Sequence, residues 1–162
     1  MQRILLIDDE SVMTDGIRDG LEDLRSEGKI GEYMVFTAID FYKARDYLDK
    51  HSFDLIVTDL LMPPLGLDEV PRHDRKRGAA LNGWVFLNHF ILKPNSPYYS
   101  AHTHTKMIVF SAYLDRLKKY FSETEFNMEL YRERLSFVNK GNIFDESGGL
   151  NKLMEEIKEI LP

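Results

Sequence analysis

Apolar positions along this chain follow two rhythms. Short continuous runs occupy residues 4–7, 53–58, 106–110 and 135–138, and a half-polar run occupies 33–39. The run into Asp59, rich in β-branched residues, predicts a strand buried on both faces, the other three runs read as strands, and 33–39 predicts a strand that is half-buried or at an edge. Between them apolar residues recur at helical spacing. Met13, Ile17, Leu21 and Leu24 share one face after Ser11, a candidate cap, with Gly28 or Gly31 as terminators. Asp40 is placed to cap a helix burying Phe41, Ala44, Tyr47 and Leu48. Another helix starts at Gly83 and buries Trp84, Leu87, Phe90 and Ile91. Residues 113–134 read as mostly helical with an interruption near 122–127. A last helix over 149–161 lines up Leu150, Leu153, Met154, Ile157 and Ile160. Alternation of strands and helices predicts a doubly wound α/β domain with a parallel sheet.

The rhythm breaks twice. Residues 63–82 hold Pro63, Pro64, Gly66, Pro71 and a basic run from Arg72 to Arg77, with no period, and predict an irregular insertion. That run reads as a solvated loop, as a lid over the neighbouring crevice, or as a contact for an acidic partner. Residues 93–105 form a second irregular stretch, in which His102 and His104 would share a face if extended. No third ligand stands near them, so a metal site is not expected there. Tyr98, Tyr99 and Trp84 read as packing residues.

Size and charge narrow the picture. The chain has 162 residues, enough for one domain over 1–162. A net charge of −6 argues against a general nucleic-acid binder. The absence of cysteine removes disulfide and thiol chemistry and fits a reducing compartment. Residues 1–10 lack a signal peptide's basic start and long apolar core, and no apolar run approaches the ~20 residues of a membrane helix. A cytoplasmic protein is expected, with neither nucleic acid nor membrane as partner.

Polar chemistry collects where the strands end. Asp8 and Asp9 follow the first, Asp59 the third, Ser111 the fourth, and Lys140 the fifth. In a parallel sheet these ends open onto one crevice. Asp54, which begins its strand, reads as a loop residue. Carboxylates about 5 Å apart repel by roughly 3 kcal/mol per pair at an effective dielectric near 20. A divalent cation relieves that repulsion, and an all-oxygen set suits Mg²⁺. With a lysine and a hydroxyl beside it, such a set has the parts for in-line phosphoryl transfer to a carboxylate.

Five segments in register carry a resemblance: ILLIDDE, LIVTDLLMP, NGWVFL, IVFSA and SFVNK. Together they resemble the CheY-like receiver domain of two-component response regulators. The resemblance implies a flavodoxin-like five-stranded sheet of order 2-1-3-4-5 with helices on both faces. It implies that Asp59 accepts a phosphoryl group from a histidine kinase or histidine phosphotransfer protein. It implies Mg²⁺ held by Asp8, Asp9, Asp59 and the Leu61 backbone carbonyl. Ser111 and Lys140 would grip the phosphoryl group, and Phe137 would be the aromatic switch that biases a face for a downstream protein target. Such a stand-alone receiver is a phosphoacceptor, not an enzyme beyond slow autodephosphorylation. An apolar Leu61 and an aromatic Tyr113 imply a long-lived phospho-form. Dimerisation through the last helices stays open.

The chain also departs from that family. Lys140 is followed by Gly141 where the family has proline, so glycine must supply another geometry. The insertion at 63–82 and the long segment before Lys140 are further differences. They keep alive a second reading, an interaction module of the same fold that works without phosphorylation. A third reading, a phosphohydrolase with an aspartyl nucleophile, needs Asp-x-Asp after the first strand, where this chain has Asp8-Asp9-Glu10.

Overall fold

The strands form where the continuous apolar runs lie, and they fall into a single parallel sheet. The structure is a computed structural model that describes residues 1–77, 80–124, 126–141 and 148–161. The strands are β1 (Gln2–Ile7), β2 (Tyr33–Ala38), β3 (Leu55–Thr58), β4 (Lys106–Ser111) and β5 (Leu135–Asn139). Their order is β2-β1-β3-β4-β5, and every pairing is parallel. The fold is the expected flavodoxin-like one. Strand β2 lies at an edge, which matches its half-polar pattern.

Successive strand residues point to opposite faces, so each strand feeds two cores. Ile4, Leu6, Leu55 and Val57 pack with helices α1 (Ser11–Ser26) and α6, which runs Gly149–Ile160. Leu5, Ile7, Ile56, Met107 and Val109 pack with the helices on the other face. Those are α2 (Phe41–Leu48), α4 (Asn82–Leu87), which continues as a wider π turn over Asn88–Leu92, and α5 (Leu114–Ser122).

The Asp40 side chain caps α2 as expected, accepting from the Lys43 N–H at 2.7 Å. Ser11 does not cap α1. Glu10 holds the N-cap position without a side-chain bond, and Ser11 is already helical. Gly28 ends that helix with φ +68°. Asp54 is a loop residue whose carboxylate accepts the Arg3 N–H at 2.7 Å.

Three irregular stretches differ from expectation. Within 63–82 a short helix, α3, spans Arg72–Arg77. Pro71 starts it, because its carbonyl accepts from the N–H groups of Asp74 and Arg75. The first half of the insertion is fastened to α2. Leu65 O accepts the Phe41 N–H, Tyr42 bonds to Asp68, and Arg45 pairs with Glu69 at 2.7 Å. Gly66, at φ +96°, lies against the α2 backbone. Residues 93–105 contain a 3₁₀ turn, Ser100–His102. His102 there is buried while His104 is exposed, so the two do not share a face.

Among its described residues the segment 113–134 is helical only over α5 and a 3₁₀ turn, Met128–Tyr131. Ser122 and Thr124 hydroxyls bond back to the Lys119 and Tyr120 carbonyls and close the helix. The chain then folds back to bring Phe126 and Phe121 edge-on to Trp84, at centroid distances of 4.7 and 4.8 Å. Burial of those rings outweighs local helix propensity.

Candidate functional site at the carboxyl edge of the sheet

Strand register decides which strand-end residues meet. Ile7 pairs with Thr58, so Asp8 and Asp59 leave adjacent strands side by side. Asn139 pairs with Ser111, and the Lys140 N–H donates to the Ser111 carbonyl. From there the Lys140 side chain crosses the end of β4, its ammonium 5.7 Å from the Phe110 ring centre. It ends 2.7 Å from Asp59 Oδ2 and 2.9 Å from Asp8 Oδ2. Asp8, Asp59 and Lys140 are all buried, at 4, 8 and 5 % exposure.

The repulsion expected between Asp8 and Asp59 is thus relieved within the chain itself. Burial pushes the Asp8 carboxyl above its usual range, against the pull of Lys140. For Lys140, burial opposes the charge, but its bonds to Asp59 and Asp8 outweigh it and hold the ammonium above its ordinary range. Local turns aim the carboxylates. Asp59 Oδ1 accepts from the Leu60 and Leu61 N–H groups at 2.5 and 3.3 Å, and Asp8 Oδ1 from the Glu10 N–H at 2.9 Å.

Three glycines build the walls. A Cβ on Gly83 would lie 1.8 Å from the Asp59 carbonyl oxygen, so only glycine lets α4 begin against the strand exit. A Cβ on Gly149 would lie 1.9 Å from the Lys140 carbonyl oxygen, which seats α6 on the lysine's backbone. Gly141 takes φ +51° and donates its N–H to Asn139 Oδ1 at 2.8 Å. Glycine does supply another geometry after Lys140, as its replacement of proline required. Gly149 and Asn139 escape sequence reasoning; the Gly148-Gly149 pair ahead of the last helix is the one available signal.

The remaining candidates are spread around this core. Ser111 is fully buried, and its Oγ accepts the Tyr113 N–H at 3.3 Å. Asp9 is exposed and Leu61 half-buried. Phe137 is half-buried, edge-on to Phe121 at 6.1 Å, beside an apolar pocket of ≈ 250 Å³ walled by Leu114, Leu117, Phe121 and Met128.

Among the described residues no three acidic or histidine side chains converge as a metal cage. The donor chemistry still fits a hard cation. Asp8, Asp59 and the adjacent Asp9 offer oxygens alone, and one ammonium leaves that set net negative.

No protein-family model matches the chain, and no curated protein matches it in sequence. Solved structures do. The chemotaxis response regulator CheY4 of Vibrio cholerae superposes with a TM-score of 0.59 at 17 % identity, covering 99 % of each chain. A CheY-like receiver domain protein from Methanospirillum hungatei gives 0.58 at 19 %, over 98 % of this chain and 92 % of that one. Response regulator TrrA of Thermotoga maritima, solved with Mg²⁺ and beryllofluoride, gives 0.50 at 25 %, over 99 % and 100 %. No helix among the described residues is long and apolar enough to cross a membrane. With its strand order, its full-length superpositions and its strand-end residues taken together, this chain has the fold of a CheY-like response-regulator receiver domain.

Proposed function

We propose that this protein is a phosphorylation-controlled signalling receiver in which Asp59 accepts a phosphoryl group from a phosphohistidine on a partner kinase or phosphotransfer protein. The observation that carries this reading is the buried contact of Lys140 with both Asp59 and Asp8 at the carboxyl edge of the sheet. In the transfer an Asp59 carboxylate oxygen bonds to phosphorus while the P–N bond breaks. The electron pair leaves on the imidazole nitrogen, which takes up a proton. Lys140 is placed to follow the incoming phosphoryl oxygens, and the Leu60 and Leu61 N–H groups orient the carboxylate.

Asp8, Asp9, Asp59 and the Leu61 carbonyl would hold Mg²⁺. When bound, it supplies charge neutralisation for the equatorial phosphoryl oxygens. The Mg²⁺–beryllofluoride complex of the Thermotoga relative supports that assignment. Ser111 would turn from Tyr113 toward the phosphoryl group, and Phe137 would move with it, reshaping the face that meets a protein target. The apolar Leu61 and the bulky, exposed Tyr113, whose ring lies under the Arg116 guanidinium, are poorly suited to orient an attacking water, which supports a long-lived phospho-form.

One observation favours a second reading. Both Asp59 oxygens already have partners within the chain, so the Lys140 triad also serves a phosphorylation-independent adaptor as a structural element. Intact mass after acetyl phosphate treatment separates the two. Wild type gains one phosphoryl group only with Mg²⁺, and Asp59→Asn gains none. Unmodified wild type would leave the adaptor.

A further inference from the structure

We propose that α3 is an electrostatic dock for an acidic segment of the protein that delivers the phosphoryl group, an inference that rests on the receiver reading above. Arg72, Arg75 and Lys76 stand at i, i+3 and i+4 and so share one helix face. They line an open groove of ≈ 410 Å³ with Pro64, Ala80 and Asn82, and among the described residues no carboxylate lines it. The chain carries 27 acidic against 21 basic residues, and several basic side chains pair with a carboxylate. Arg25, Lys43, Arg45 and Lys50 do so. Among the described residues Arg72, Arg75 and Lys76 form no ion pair, and Arg75 Nε is buried without an acceptor.

The insertion spends its own nearby acids elsewhere. Asp68 bonds to Tyr42 and Glu69 to Arg45, on α2, and Asp74, on α3 itself, lies 3.2 Å from His73 Nε2. What remains is a positive lobe on a negative protein.

Its position supplies the partner. Asn82, in the groove wall, donates to the Met62 carbonyl at 2.6 Å, and the next residue, Gly83, abuts the Asp59 carbonyl. The groove therefore opens at the carboxyl edge of the sheet, where any protein delivering a phosphoryl group to Asp59 must sit. Two arginines favour carboxylates, which they grip with two parallel hydrogen bonds. An open groove with cations spaced along a helix suits an extended acidic peptide better than a single small anion. Charge of this kind acts mainly on encounter rate and partner choice.

Titration of the full chain with a fluorescein-labelled hexaglutamate peptide tests this. Wild type should bind it, more weakly as salt rises, and Arg72→Ala/Arg75→Ala/Lys76→Ala should bind at least tenfold more weakly. Arg116→Ala, which does not line the groove, should match wild type. Equal binding by the triple variant, or none by wild type, overturns the proposal. So does pyrophosphate binding that depends on the three residues while the peptide does not bind. Asp59 labelling by acetyl phosphate, run on the same proteins, should be unchanged in the triple variant. Loss of labelling in wild type itself overturns the receiver reading and with it the identity of the partner, whatever the peptide does.

Discussion

Gly149 rests on the backbone of Lys140 so closely that its missing side chain is a structural part: a Cβ there would fall 1.9 Å from the Lys140 carbonyl oxygen and 2.4 Å from the carbonyl carbon. The lysine is placed by a residue nine positions further along. Gly149→Ala must push α6 off the end of β5 or turn the Lys140 peptide. Overpacking against backbone of this kind costs about 1–3 kcal/mol. Urea unfolding should show that loss, and acetyl phosphate labelling of Asp59 should slow more than stability alone explains. Unchanged stability would show that the helix yields freely.

Gly141 leads to an expectation that runs against the family pattern. Receivers usually carry proline after this lysine, yet proline fixes φ near −65° and has no N–H. Gly141 holds φ +51° and donates to Asn139. Gly141→Pro should therefore destabilise by about 2–3 kcal/mol and slow labelling, while Gly141→Ala costs about 1–2 kcal/mol through the left-handed backbone alone. Denaturation midpoints of the two variants check the order.

Removing the ammonium should be worse than removing a carboxylate. Lys140→Met leaves Asp8 and Asp59 buried and facing each other, and breaking a buried pair costs about 3–5 kcal/mol. Adding Asp8→Asn to that variant should recover part of the loss, because one buried charge is withdrawn. A double-mutant cycle in urea reads the coupling; additive losses would contradict the triad.

His102 sets an acid limit on stability. The Thr105 hydroxyl donates to the Phe53 carbonyl at 2.5 Å, so it accepts from His102 Nδ1, leaving Nε2 buried without a partner. Burial, and then the nearby Arg134, lower the His102 pKa from 6.5 to about 4. The unfolded chain thus binds a proton that the folded chain refuses. Stability is whole above the unfolded pKa and falls as pH drops from 6.5 toward 4. The loss should reach about 3 kcal/mol by pH ~4. His102→Asn, which keeps a donor near Nδ1, should flatten that part of the pH profile. Identical profiles would remove His102 as the cause.

Asp9 should matter for the metal and little for the apo fold. It is exposed, while Asp8 and Asp59 share the Lys140 ammonium. Mg²⁺ at ~100 times its dissociation constant should stabilise wild type by about 2.7 kcal/mol. Asp9→Asn should lose most of that gain and change metal-free stability by less than ~0.5 kcal/mol. Thermal melts with and without Mg²⁺ decide it. A large gain in metal-free stability would mean that Asp9 is crowded by its neighbours.

Much of this protein was legible one segment at a time. Period and residue type are local, so runs such as Ile4 to Ile7 and Leu55 to Thr58 declare strands, and the face from Leu153 to Ile157 declares a helix, before any packing is known. The residues at the strand exits, Asp8, Asp59, Ser111 and Lys140, follow from the same locality. Tertiary structure decided what those residues touch. Register brought Asp8 to Asp59 and left Asp9 exposed, and Lys140 reached both only because Gly141 and Gly149 shape its backbone. The insertion became a segment fastened to α2 followed by the short helix α3, and the long segment after β4 gave up its helix to cover Trp84 with Phe121 and Phe126. Hydrophobic burial and charge pairing join residues far apart in the chain, and local pattern holds no record of which distant partner will be met.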